Sequence, residues 1–126
     1  MATKRDYVNR LNRWADFLDD VDFKKKNGVF NIGVWALESN NGKPVCGTAA
    51  CAAGWAAAIP SFRKAGFRLD DFNRPTYNGV INSEAVANFF GLVVDDAIML
   101  IDGSYGHTRK TVAKNIRKLA NKIATQ

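Results

Sequence analysis

The sequence has few of the residues that support disulfide frameworks, metal centres and membrane insertion. Among its 126 residues it has two cysteines, one histidine and three prolines. Charged or turn residues interrupt every apolar run well short of the ~20 residues that cross a bilayer. The first residues, which include Lys4, Arg5 and Asp6, lack the apolar core of a secretion signal. We therefore expect a cytoplasmic protein that does not enter membranes.

The cysteines and the single histidine limit the chemistry further. Cys46 and Cys51 are five residues apart. If both lie on or beside one helix, their Cα atoms are more than ~7 Å apart, which is too far for a disulfide. Reduced thiols fit a cytosolic compartment. Together with His107 they supply three metal ligands at best, without a recognised spacing. We expect free thiols, no bound metal and no cofactor.

What the sequence does contain is the composition of one folded domain. Hydrophobic residues make up 47% and charged residues 24% of the chain, as in ordinary soluble globular proteins. A chain of this length is sufficient for one hydrophobic core. No internal repeat, low-complexity segment or linker divides it. We therefore expect residues 1–126 to form a single domain.

Residues 45–58 dominate the fold prediction. After Thr48 nearly every side chain is small and apolar, with Trp55 the one large exception. Alanine favours helix, Thr48 is a good N-cap, and Pro60 cannot continue a helix. A helix without a polar face has to be buried on all sides. The pattern predicts a mainly α fold, one compact helical domain around a buried helix at about residues 48–59.

Amphipathic helices are predicted at both ends of the chain. Thr3 and Asp6 resemble a capping box, and apolar residues then recur at helical spacing to about residue 20. Thr108 is placed to cap a last helix with its apolar residues on one face. Gly91 should end an earlier helix, and Asn78-Gly79 is a strong turn signal. Between the helices we expect at most a small β-hairpin or short strands.

Two blocks of the sequence resemble a known family. They are Phe30-x-Ile32-x-x-Trp35 with Cys46-Gly47-Thr48-x-x-Cys51-x-x-Gly54-Trp55, and then Ala87-x-x-Phe90-Gly91-Leu92-x-x-x-x-Ala97-x-x-Leu100. The pattern is similar to that of small uncharacterised proteins from bacteria and their phages, in which an alanine-rich helix follows the first block. Members often have Ser or Thr after the Gly-Leu step, where Val93-Val94 stands here. The resemblance implies a fold and, for a phage-encoded member, location in the host cytoplasm. It implies no mechanism.

The start of the predicted central helix is the first candidate site. Gly47 permits close backbone approach, and free amides at a helix start attract anions. An arginine from the loop at residues 66–81 is placed to close over a phosphate. Our first hypothesis is a small basic accessory protein, such as an anti-defence factor, that binds an anionic ligand such as a nucleotide. Its predicted ligand residues are Gly47, Thr48, Ala49, Arg68, Arg74 and Tyr77.

The excess of basic residues supplies two alternatives. The net charge is +6, and the chain after Tyr105 has no carboxylate side chain. A basic helix of this kind suits either a nucleic-acid backbone or an acidic protein partner. A helix-turn-helix spacing near Ala87 and Ala97 is disfavoured because Asp95, Asp96 and Asp102 would repel phosphates. The candidate contact residues are Arg109, Lys110, Lys114, Arg117, Lys118 and Lys122.

A cysteine-dependent hydrolase or transferase is the remaining alternative. Cys46 precedes the predicted helix, whose dipole would lower the pKa of its thiol, and His107 is the one candidate base. No residue is identified by spacing as the group that would orient this histidine. The sequence therefore favours a binding protein over an enzyme.

Overall fold

Groups of two or three helices are separated along the chain by groups of very short strands. The computed structural model describes residues 2–126. Its helices are α1 (Lys4–Leu18), α2 (Phe23–Lys26), α3 (Ala52–Ala56), α4 (Pro60–Lys64), α5 (Asn82–Phe90), α6 (Val94–Ile101) and α7 (Arg109–Ala124). Its strands are β1 (Val29–Phe30), β2 (Ser39–Asn40), β3 (Lys43–Pro44), β4 (Ala49–Ala50), β5 (Arg68–Leu69), β6 (Pro75–Tyr77) and β7 (Val80–Ile81). The fold is helix-rich with small sheets, as predicted, though it is not purely helical.

The terminal helices α1 and α7 pack side by side in opposite directions. The Lys4 ammonium at the start of α1 donates to the Gln126 carbonyl after α7, and Arg109 at the start of α7 donates to the Leu18 carbonyl. The predicted capping box is present: the Thr3 hydroxyl accepts from the Asp6 N–H at 3.2 Å, and the Asp6 carboxylate accepts from the Thr3 N–H at 2.8 Å. Thr108 caps α7 through the Thr111 N–H. Both terminal helices therefore begin where the sequence predicts.

The central alanine-rich segment is buried, but the helix predicted at residues 48–59 is wrong in extent. Only Ala52–Ala56 forms α3, and Ala49–Ala50 is instead strand β4, parallel to β1. Pro60 begins the separate helix α4. Tertiary hydrogen bonds explain the difference, because residues 29–37 run along this segment and take its backbone groups. Helix propensity differs by less than ~1 kcal/mol per residue, so such long-range bonds override it.

Gly54 shows how closely the two segments approach. A Cβ built on Gly54 would lie 1.6 Å from the Trp35 carbonyl oxygen, where no side chain fits. The neighbouring Cys51 N–H donates to the Val34 carbonyl at 2.8 Å. The Trp55 indole N–H donates to the Val29 carbonyl at 2.9 Å. Glycine is therefore required inside an alanine run because another backbone passes directly over it.

Aromatic side chains fill the space between the central segment and the helices. Trp14 of α1 stacks on Phe90 with ring centroids 4.2 Å apart, and its indole N–H donates to the Ala52 carbonyl. Phe62, Phe67 and Phe89 pack against each other beside them. Offset and edge-to-face aromatic pairs add to the free energy gained from burying these rings. This core joins α1, α3, α4 and α5 into one unit.

Two turns that the sequence predicts are present, one at the end of α5 and one between β6 and β7. Gly91 ends α5 in the left-handed conformation, with φ of 70°. Asn78 and Gly79, with φ of 50° and 83°, connect β6 to β7 in a tight hairpin. Both turns follow from short-range chemistry, since glycine and asparagine tolerate positive φ.

Candidate functional site

The predicted anion site at the start of the central helix does not form as expected. The Thr48 hydroxyl accepts from the Glu38 N–H at 3.1 Å and does not cap the helix. Cys51 is the residue that precedes α3, and every residue of α3 is buried. Burial raises the pKa of the Cys51 thiol to about 11, although the backbone N–H groups of Gly54 and Ala53 oppose that shift. The helix therefore begins at a buried residue, and the Trp35 backbone lies directly against it at Gly54.

The remaining predicted ligand residues lie on separate surfaces. Arg74 is paired with the Asp70 carboxylate at 2.9 Å, and its guanidinium lies 5.0 Å from the Phe72 ring centroid. Arg68 lines a cleft with Gly42 and neighbouring residues of the β5–β6 region. Tyr77 packs on Phe89 and lines a different cleft. Ala49 is in β4, and Gly47 is in an exposed turn. The structure therefore does not assemble the nucleotide site that the sequence suggests around Gly47.

The side chains of Cys46 and His107 are not in contact through a hydrogen bond either. The exposed Cys46 thiol lies 3.6 Å from the Lys26 carbonyl oxygen. The His107 ring lies against Gly103, in the loop between α6 and α7. Within residues 2–126 no hydrogen bond connects the two side chains, and no group of three His, Cys, Asp or Glu residues is arranged to hold a metal. A cysteine–histidine pair is therefore not preassembled.

Two of the six basic residues predicted for partner binding hold α7 in place. The Arg109 guanidinium donates to the carbonyls of Leu18 and Asp20 and lies 4.6 Å from the Phe23 ring centroid. Arg117 bridges two carboxylates, Asp16 of α1 at 3.0 Å and Asp19, the residue after α1, at 3.1 Å. Both carboxylates raise the pKa of Arg117, and the hydrogen bond to Asp16 has the larger effect. These two arginines therefore hold α7 against neighbouring segments of the chain, a role that the sequence did not predict.

The four lysines of α7, unlike these two arginines, are exposed to solvent. Lys110, Lys114, Lys118 and Lys122 are all exposed and recur at every fourth residue. Each step of four residues turns about 40° around the helix, so the lysines spread over about 120° of it and about 18 Å of its length. We call these four residues the lysine face. Val112, Ile116 and Ala120 lie on the other side of α7, in the core.

Two neutral residues that the sequence interpretation missed lie on the same side of α7. Thr111 and Asn121 are exposed there, and their positions fall between those of the lysines on a helical projection. Helical spacing alone identifies them, because both are within the arc that the lysines cover. Hydroxyl and amide groups of this kind contact phosphate and sugar oxygens in nucleic-acid complexes. This side of α7 thus presents neutral hydrogen-bonding groups beside the charged lysine face.

No protein of known function guides this assignment. The sequence matches no protein-family model and no curated protein, and the fold matches no solved structure. The resemblance to small bacterial and phage proteins therefore stays a prediction. In the described part of the chain, no helix has both the length and the apolar character needed to cross a membrane.

Proposed function

We propose that this protein binds nucleic acid through the phosphate backbone, using the lysine face of α7. One observation supports the proposal above all others: four exposed ammonium groups lie on consecutive turns of a helix that contains no carboxylate side chain. Asp16 of α1 and Asp19, the residue after α1, are paired with Arg117. None of the four lysines is in a salt bridge within the described residues.

The chemistry of the lysine face favours nucleic acid over an acidic protein. Double-stranded DNA has one negative charge per ~1.7 Å of its axis, so an 18 Å row of cations meets several phosphates at once. Protein interfaces are instead enriched in arginine and aromatic residues and depleted in lysine. The lysine face has neither arginine nor an aromatic side chain. The same composition predicts binding without base recognition.

The number of lysines sets the expected salt dependence. Four phosphate contacts give a slope of about −3.6 for log affinity against log salt on duplex DNA. Raising the salt concentration from 50 to 200 mM should then weaken binding about 150-fold. Removing two lysines should halve the slope to about −1.8, which corresponds to a loss of about 12-fold over the same range.

Fluorescence anisotropy with a labelled 20-base-pair duplex of mixed sequence tests the proposal. Lys114→Gln/Lys118→Gln should show the reduced slope and weaker binding at 50 mM salt. Lys24→Gln/Lys64→Gln removes the same charge from exposed lysines outside α7 and should keep the parent slope. Equal effects of the two double variants would mean that net charge, and not the lysine face, is responsible, and the proposal would fail.

The acidic-protein alternative is separated by a competitor in the same assay. Polyglutamate should displace the duplex only at a much higher charge concentration, because its charges are less dense and its carboxylates offer fewer acceptor oxygens than phosphates. If polyglutamate competes as well as unlabelled duplex, and with the same dependence on Lys114 and Lys118, the acidic-partner function replaces the one proposed. A phage origin and an anti-defence role stay predictions.

A further inference from the structure

A second basic surface lies away from α7, in a cleft between the end of α2 and the β2–β3 hairpin. The cleft has a volume of about 370 Å³, which is within the range of small-molecule sites. Lys26 and Lys43 both line it, beside the exposed Cys46 thiol. Atoms of the largely buried Trp55 and of Ala58 form its apolar part. No sequence pattern relates Lys26 to Lys43, so the sequence interpretation missed this site.

The charge of the cleft favours an anion. Two ammonium groups and no carboxylate are among the residues that line it. Lys26 already contacts the Asp20 carboxylate at 3.0 Å, but its side chain is 60% exposed. An ion pair this exposed to water contributes little free energy. A phosphate held jointly by Lys26 and Lys43 can therefore displace Asp20 at small cost.

Amide side chains surround the two lysines. They provide donors and acceptors that are neutral, so they suit the polar edges of an organic ligand as well as further phosphate oxygens. The hairpin that carries two of them turns at Asn41 and Gly42, with φ of 55° and 79°. Its strands are paired in register, Ser39 with Pro44 and Asn40 with Lys43. The amide residues that line the cleft are Asn27, Asn40 and Asn41.

We propose that this cleft binds a small phosphate-bearing molecule of the nucleotide class. Its phosphate lies between Lys26 and Lys43, and its organic part lies against the asparagines and the edge of Trp55. The proposal is independent of nucleic-acid binding by the lysine face, because it uses other residues on another surface. It also moves the nucleotide site that the sequence suggests, from the start of the central helix to the hairpin that precedes it.

Cys46 is a built-in reporter for this cleft. Its thiol is exposed and lines the cleft, whereas Cys51 is 1% exposed and its pKa is raised to about 11 by burial. Iodoacetamide should therefore alkylate Cys46 in the native protein and spare Cys51. A ligand that fills the cleft blocks this reaction. With ligand at ten times its dissociation constant, the alkylation rate should fall about tenfold.

The experiment measures the alkylation rate of Cys46 by mass spectrometry, with ATP, pyrophosphate or adenosine added at constant ionic strength. Protection by ATP and pyrophosphate but not by adenosine supports recognition of the phosphate group. Protection by ATP alone supports recognition of the whole nucleotide. No protection by either phosphate compound up to 5 mM would overturn the proposal, and so would equal protection by adenosine.

Paired variants show whether the two lysines are responsible. In Lys26→Gln/Lys43→Gln we expect ATP to protect Cys46 at least tenfold less well, measured for each variant as the ratio of its alkylation rates without and with ATP. Lys24→Gln/Lys64→Gln removes the same charge from exposed lysines that neither line the cleft nor belong to the lysine face, and it should keep full protection. Protection that survives in Lys26→Gln/Lys43→Gln would place the ligand elsewhere and contradict the proposal.

Discussion

Replacing Gly54 by alanine tests how the central segment is held in place. The added methyl carbon would lie 1.6 Å from the Trp35 carbonyl oxygen, 2.8 Å from its carbonyl carbon and 3.1 Å from the Ala50 Cβ. Two of these three atoms belong to backbone, so no side-chain rotation relieves the contact. The segment around Trp35 has to move away from α3 if the variant is to fold.

The expected loss of stability follows from what that movement breaks. Overpacking a dense core costs about 1–3 kcal/mol. Two backbone hydrogen bonds flank the contact, Cys51 N–H to Val34 at 2.8 Å and Leu37 N–H to Ala49 at 2.9 Å, and losing them costs about 1 kcal/mol each. The higher helix propensity of alanine returns about 1 kcal/mol. We expect Gly54→Ala to lower the free energy of unfolding by about 2–4 kcal/mol.

Urea denaturation followed by tryptophan fluorescence measures this loss. The midpoint should fall by about 1–2 M relative to the parent protein. Gly33→Ala is the matched control, because a Cβ there meets only the Asn31 side-chain oxygen, at 3.2 Å, and we expect a change within about 1 kcal/mol. A Gly54→Ala midpoint equal to that of Gly33→Ala, or above that of the parent, would refute the close approach of the two segments.

Two further predictions concern the terminal helices. Arg109→Ala should destabilise the protein by about 2 kcal/mol, since it removes hydrogen bonds to the Leu18 and Asp20 carbonyls and the contact with the Phe23 ring. As a control, Lys110→Ala should change the urea midpoint little. Equal losses in the two variants would disprove the structural role of Arg109. The Thr3 backbone N–H, and then the Thr3 hydroxyl, lower the pKa of Asp6. This stabilisation is present above the unfolded pKa of about 3.9 and is lost as the pH falls through the lowered folded pKa. Asp6→Ala should therefore lose more stability at pH 7 than at pH 2, and a loss that is equal at both pH values would contradict the capping box.

The alanine-rich segment shows where sequence-based prediction fails. Its burial is predictable, because a segment without polar side chains has no favourable contact with water. Its conformation is not, because alanine fits helix, strand and turn, and the choice depends on which backbone groups lie nearby. Here Val29, Asn31 and Leu37 donate to the carbonyls of residues 48–50. A pairing between segments about 20 residues apart leaves no periodic signal in either of them.

The basic residues of α7 also show what the sequence determines and what only packing decides. The sequence alone determines that the last helix is amphipathic and free of carboxylates, since both follow from residue identity and helical spacing. It also determines the capped starts of both terminal helices and the turns at Asn78-Gly79 and Gly91. Packing decided which cations remain available: Arg109 and Arg117 are placed against α1 and α2, while the lysines face water.

The cleft beside Lys26, Lys43 and Cys46 was decided by tertiary structure alone. Lys26 ends α2, Lys43 is in β3, and Trp55 is in the central helix, so no local pattern relates them. They meet because the chain from Val29 to Ala50 returns to pair β1 with β4. Local spacing specifies caps, turns and helix faces through contacts within a few residues, whereas a cleft depends on contacts between distant segments that form only in the folded chain.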